Sequence, residues 1–159
     1  MSYDTARASF CCIHSVIMSV PQIVIDTNVI VAGLRSRNGS AFRLLTLLGS
    51  GQFEIHLSVP LVLEYDAVLL RELPNLSIDA EDVQTLIDFH CSVATHHQIF
   101  FLWRPYLPDP KDDMVLELAV KAGCDSVVTY NIRDFVGIER LGIKAITPVQ
   151  FLEPIGALS

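Results

Sequence analysis

Acidic residues recur where apolar segments of this chain end. Asp26 closes a short aliphatic run in the string Ile23-Val24-Ile25-Asp26-Thr27-Asn28. Glu64 stands about two turns into the helix expected after a second strand, among Leu61, Val62, Leu63 and Tyr65. Asp112 and Asp113 open a later helix, and Asp134 follows a strand that ends at Thr129. Clustered carboxylates repel, and one takes up a proton unless a cation sits between them. A hard, oxygen-liganded ion such as Mg2+ or Mn2+ is the natural occupant, and it keeps waters for a substrate phosphate. Such an ion activates water and steadies the charge that develops on a phosphodiester during in-line attack.

Each residue also has a plainer job. Asp26 and Asn28 are good helix caps. Asp112 and Asp113 are favoured at a helix N-terminus by the macrodipole alone. Asp134 suits a turn, and Thr129 and Asn131 can simply close a strand. Glu64 resists that treatment, because an acid on an apolar face is costly unless it is paired or metal-bound. The joint pattern is harder to reach by chance than any one member.

The acids need a frame that brings strand ends together. Residues 22–25 read as a strand covered on both faces, since the run is mostly apolar. Residues 29–34 make a short helical stretch before the polar segment 35–39. Ser40 caps a helix to Leu48, which Gly49-Ser50-Gly51 ends. Residues 53–57 form a second strand, and 59–70 a helix with Pro60 in its first turn. Ser77 or Asp79 caps a helix over 80–94. Residues 98–103 are expected as a third strand, followed by a proline-rich loop to Pro110. The helix opened by Asp112 and Asp113 runs to Ala122 and stops at Gly123. Residues 126–129 and 144–146 are the last strands, with a closing helical turn at 148–152. This alternation predicts an α/β fold with a mostly parallel sheet. In such sheets ligands sit at the carboxyl ends of the strands, where Asp26 and Thr129 fall.

Composition narrows the function. The chain has 159 residues, 51% of them hydrophobic, and a net charge of −7. That size and apolar content predict a sizeable core rather than disorder. A net negative charge is unusual for a protein that holds nucleic acid by bulk charge. It suits carboxylates gathered around a divalent cation. No apolar run is long enough to span a membrane. Cys11, Cys12, Cys91 and Cys124 form no CxxC pair, which predicts reduced thiols in a cytoplasmic protein. Residues 1–18 lack clear periodicity and are expected to form a loosely ordered N-terminal extension, with the domain proper at 19–159. No GxGxxG follows the first strand, so dinucleotide binding finds no support.

The order DTNV, SxPLVLE, DPKDDMVLELA and VVTYNIRDF resembles the PIN domain, and more closely the VapC-like toxins of prokaryotic toxin–antitoxin pairs. The resemblance covers roughly residues 21–152. It implies a Rossmann-like three-layer α/β/α sandwich and an Mg2+- or Mn2+-dependent endoribonuclease that uses a metal-activated water. Its acidic positions fall on Asp26, Glu64, Asp112 and Asp134, with Asp113 the neighbour that rivals Asp112. Thr27, Asn28, Ser58, Thr129, Asn131 and Arg133 are implied as supporting or phosphate-contacting groups. Many close relatives carry Asp where Asn131 stands, which weakens the metal field by one charge. The family also implies an RNA substrate, a small antitoxin partner and a homodimer, for which the helices near Phe42 and Val83 offer apolar surface. Arg35, Arg37 and Arg133 are the basic residues nearest the motifs. Two rival readings remain: a catalytically weak PIN module that binds other proteins, which the Asn131 departure permits, and a metal-dependent phosphatase or flap-type DNA nuclease.

Overall fold

The computed structural model describes residues 19–100 and 106–158. Five strands form one parallel sheet: β1 (Gln22–Ile25), β2 (Glu54–Ser58), β3 (Thr95–His97), β4 (Ser126–Val128) and β5 (Lys144–Ile146), in the order β3-β2-β1-β4-β5. The middle strands are the apolar ones, as a parallel strand covered on both faces requires. Ile23, Val24, Val127 and Val128 are fully buried. Helices α1 (Thr27–Arg35) and α2 (Ser40–Thr46) link β1 to β2, and α3 (Val59–Glu72) and α4 (Ala80–Val93) link β2 to β3. Helix α5 (Pro110–Ala122) returns the chain to β4, and α6 (Pro148–Leu152) follows β5. Parallel crossovers are right-handed, so reversing direction across the sheet puts α5 on the face opposite α1 to α4. The result is the α/β/α sandwich expected from the sequence.

Local chemistry sets the helix ends. The Ser58 hydroxyl accepts from the Leu61 amide and starts α3. Asp79 and Asp82 form a reciprocal capping box at α4, and Thr147 and Gln150 do the same at α6. Asp109 caps α5, with Pro110 at its first position, and Gly123 ends it in the left-handed region at φ 65°. Helix α2 begins from Gly39, not from a Ser40 side-chain cap, and stops at Thr46, short of Leu48.

The third strand is the main departure from expectation. It lies at Thr95–His97, while residues 98–100 are irregular and 101–103 lie outside the described residues. The physical reason is its position at the sheet edge. It pairs only with β2, His56 opposite Thr95 and Ser58 opposite His97, so one side stays open and no apolar run marks it. The run that suggested a strand sits just beyond, with Phe100 70% exposed. The N-terminal extension, with Cys11 and Cys12, also lies outside the described residues. Cys91 and Cys124 are free thiols, and burial pushes Cys124 up to about 12, as befits a small packing group. Among the described residues no helix is long and apolar enough to cross a membrane.

Helices α1 and α2 pack closely because Gly33 has no side chain. A Cβ there would stand 2.6 Å from Leu45 Cδ1 and 3.2 Å from the Ala41 carbonyl carbon. Gly33→Ala is therefore expected to destabilise the protein by about 1–3 kcal/mol, the usual cost of overpacking. Chemical denaturation checks this; an unchanged midpoint would mean that the two helices separate freely.

Val83, a position proposed from sequence for a dimer surface, is fully buried within this chain and is core. Phe42 is half-buried beside a surface groove.

Candidate active site

The site grows from the meeting of β1 and β4. From β1 the chain runs to one side of the sheet through β2 and β3, then returns to build β4 and β5 on the other. The carboxyl ends of the two strands flank that reversal, where open α/β sheets leave a crevice. Ile25 lies opposite Val128, so the next residues out, Asp26 and Thr129, face one another. The Asp26 amide donates to the Val128 carbonyl at 2.9 Å. The buried Tyr65 hydroxyl donates to the Ile25 carbonyl, so α3 also pins the strand end that presents Asp26.

Asp26 is held by donors, not left to rotate. Its Oδ2 accepts from Thr129 Oγ1 at 2.7 Å and from Asn28 Nδ2 at 2.8 Å. Asn28 Nδ2 also reaches Thr129 Oγ1 at 3.1 Å, and Asn28 Oδ1 accepts from the Tyr130 amide at 3.2 Å. The Asn131 amide donates to Thr129 Oγ1 at 2.9 Å. Glu64 enters from α3, beside Tyr65, and its Oε1 accepts from Thr27 Oγ1 at 3.0 Å. The segments DTN and TYN, some hundred residues apart in sequence, thus form one hydrogen-bonded unit.

A crevice of about 510 Å3 opens above this unit. Asp26, Thr27, Asn28, Glu64, Asp112 and Asn131 line it. Arg35, Arg71, Glu72, Asp109 and Lys111 line it as well, and Arg35 is paired with Glu72. Arg71, Glu72, Asp109 and Lys111 did not stand out in the sequence. Only Asp109 carried a usable signal, as a carboxylate cap immediately before a helix-starting proline. Asp134 sits in a 3-10 turn, Ile132–Phe135, just past β4, and its charge acts on Asp112. Arg133 shares an outer hollow with Tyr130 and Asp134 and does not line the main crevice. Ser58 is 1% exposed and occupied as the α3 cap, so it does not line the crevice either.

The electrostatics follow from this crowding. Burial pushes the Asp112 carboxyl up to about 7, and the charges of Asp26, Asp109, Asp134 and Glu64 push the same way. Burial also raises Asp26, with a further push from Glu64; the bonds from Thr129, the Thr27 backbone and Asn28 pull it back. A set of hard oxygens that retains a proton against its own charge is chemically suited to a divalent cation. Among the described residues no three acids, histidines or cysteines stand close enough to enclose an ion unaided. The crevice-lining carboxylates of Asp26, Glu64 and Asp112 supply hard oxygen donors that fit a divalent cation whose remaining positions are taken by water.

Asp112 and Asp113 have separate surroundings. Asp113 is 1% exposed, its Oδ1 accepts from the Leu107 amide at 2.7 Å, and the Tyr106 amide reaches both oxygens at 3.2 and 3.3 Å. It ties the preceding loop to α5, while Asp112 lines the crevice. Asp113→Ala is expected to cost about 1–3 kcal/mol, because it leaves the Leu107 and Tyr106 amides without the carboxylate that accepts from both. Asp112→Asn should leave stability unchanged or raised. Urea unfolding of both variants decides the matter: equal midpoints would remove the anchoring role of Asp113.

A parallel α/β sandwich with an acid-lined crevice at the strand reversal has the build of a metal-dependent nuclease. The PIN domain profile matches residues 22–133, more than half of the chain, and the chain belongs to that family. PIN domains are typically nucleases and generally use divalent metal ions. The matched span includes Asp26, Glu64 and Asp112 and ends one residue before Asp134. Comparison with curated proteins gives no match.

Proposed function

We propose that this chain is a divalent-cation-dependent endoribonuclease that acts as the cytoplasmic toxin of a toxin–antitoxin pair. The observation that carries the nuclease reading is the convergence of acids from separate elements on one crevice: Asp26 after β1, Glu64 on α3 and Asp112 on α5, with the charge of Asp134 acting on Asp112. Asp26 and Asp112 are the residues that would hold Mg2+ or Mn2+, with Glu64 and Asp134 completing the set through water. A cation bound there supplies a lowered pKa for coordinated water and a counter-charge for the phosphodiester. The chain's own residues do the rest. Thr129 and Asn28 fix the Asp26 carboxylate, Thr27 steers Glu64, and Lys111 and Arg71 on the crevice wall meet substrate phosphates. Hydrolysis of the scissile bond would leave a 5′-phosphate and a 3′-hydroxyl.

The toxin role rests on the VapC-like order of the motifs. An uninhibited ribonuclease needs restraint in its own cell, so a small antitoxin is the expected partner, placing a basic side chain among the carboxylates. A homodimer is proposed on the same ground. Asn131 in the crevice favours the second reading, a catalytically weak module that binds protein, because it supplies a neutral amide where the VapC-like pattern implies an acid.

The test is a panel of single-stranded RNAs incubated with purified protein in Mg2+, Mn2+ or EDTA. Ion-dependent internal cuts with 5′-phosphate ends are expected. Intact RNA throughout, under both ions, would leave the binding-module reading in possession. Growth arrest on expression, relieved by a co-expressed small partner, tests the toxin role; unimpeded growth by a protein that cuts RNA would remove it.

A further inference from the structure

Beside the carboxylate crevice lies a second hollow of about 630 Å3. Arg37, Asn38, Ser40, Phe42, Val149 and Leu158 contribute to its lining, and no acidic residue does. On a protein with a net charge of −7, a basic and apolar groove is an exception to the surrounding field. Val149 and Leu158 are each 45% exposed there.

Tyr130 stands between residues of the two hollows, in the outer hollow it shares with Arg133 and Asp134. It follows Thr129 directly, and its amide is held by Asn28 Oδ1 in the crevice. Its phenolic oxygen lies 3.5 Å from Ser40 Oγ, which lines the groove. The residue is 44% exposed. An aromatic side chain anchored through its backbone and open to solvent is a stacking platform for a nucleic-acid base, and every base has such a face to offer. We propose that a single-stranded RNA leaves the carboxylate crevice across the Tyr130 ring and enters the Arg37 groove. Arg37 meets a backbone phosphate, and Phe42, Val149 and Leu158 accept base or sugar faces. This deepens the nuclease reading and rests on it for the direction of the strand. It also explains how an acidic protein holds a polyanion: the positive charge is local to the track.

Fluorescence anisotropy of the full-length protein with a labelled oligoribonucleotide of about twelve residues tests this, a length within the span such grooves cover. Ca2+ replaces Mg2+, since its looser coordination does not favour in-line attack. Tyr130→Ala is expected to weaken binding about tenfold, and Tyr130→Phe to bind like the parent, because stacking needs the ring and not the hydroxyl. Arg37→Ala should weaken binding and lower the slope of log K against log salt by about 0.7. Thermal melts confirm folding of each variant. Unchanged binding by Tyr130→Ala, or equal loss in Tyr130→Phe, overturns the track. Variants that lose a purified antitoxin while keeping RNA also overturn it, and reassign the groove to protein docking. Cleavage assays in Mg2+ separate the two readings. A parent that binds in this way but never cuts keeps the track and loses the nuclease; a parent that cuts while Tyr130→Ala binds normally does the reverse.

Discussion

Asp26→Asn will abolish RNA cleavage and leave the fold standing. Perturbing groups that merely orient a metal ligand costs about 10–100-fold, so loss of a ligand itself should exceed a hundredfold. The fold survives for a local reason. The amide oxygen of Asn can keep both bonds that Asp26 accepts, from Thr129 Oγ1 and Asn28 Nδ2. The new amide nitrogen can then turn to the crevice. Burial holds the Asp26 carboxyl above its ordinary range, so its charged form costs stability at neutral pH and Asn removes that cost. The metal-free variant should therefore melt at the parent temperature or higher. Cleavage gels and thermal melts on one preparation check both halves. Undiminished cleavage would rule out the site, whereas collapse of the fold would make Asp26 structural.

Cation affinity should climb with pH and level off near 7. Asp112 is the group responsible, pushed up to about 7 by burial and by Asp26, Asp109, Asp134 and Glu64. A cation must displace its proton, so below pH 7 the binding constant is expected to gain up to about tenfold per pH unit. The metal-free protein should show the opposite trend in stability. The folded pKa lies above the unfolded one, so the contribution from Asp112 is complete below the ordinary aspartate range and is lost as pH rises through about 7. Asp26 works in the same direction. Calorimetric Mn2+ titrations at several pH values, in buffers of different ionisation heat, read the displaced proton directly. Asp112→Asn should bind weakly and with a flatter pH profile. Affinity that ignores pH in the parent would remove Asp112 from the ion's surroundings.

Much of this arrangement is legible in the chain because the chemistry sits at boundaries. Asp26 stands out where an aliphatic run turns polar, and Glu64 where an acid breaks an apolar helix face. Other parts have no such contrast. Residues 113–119 of α5 are buried without interruption, so no polar stripe sets the helix phase. One residue turns a helix by about 100°, and only packing decides that Asp112 faces the crevice and Asp113 the loop. The edge strand β3 reads as polar because half of it meets water. Arg71, Glu72 and Lys111 join the crevice by tertiary approach, and Tyr65 marks the Ile25 carbonyl from forty positions away. Spacing along the sequence holds no record of such approaches.

The sheet's margins carry a consequence for assembly. Both edge strands, β3 and β5, are three residues long. An incoming chain laid along either would gain only a few backbone hydrogen bonds, too little to offset its ordering. Lateral growth, whether a sheet continued across a two-fold axis or a fibril seeded on an edge, is disfavoured by such short edges. Copies of this protein that associate are expected to meet through surfaces other than these two strands.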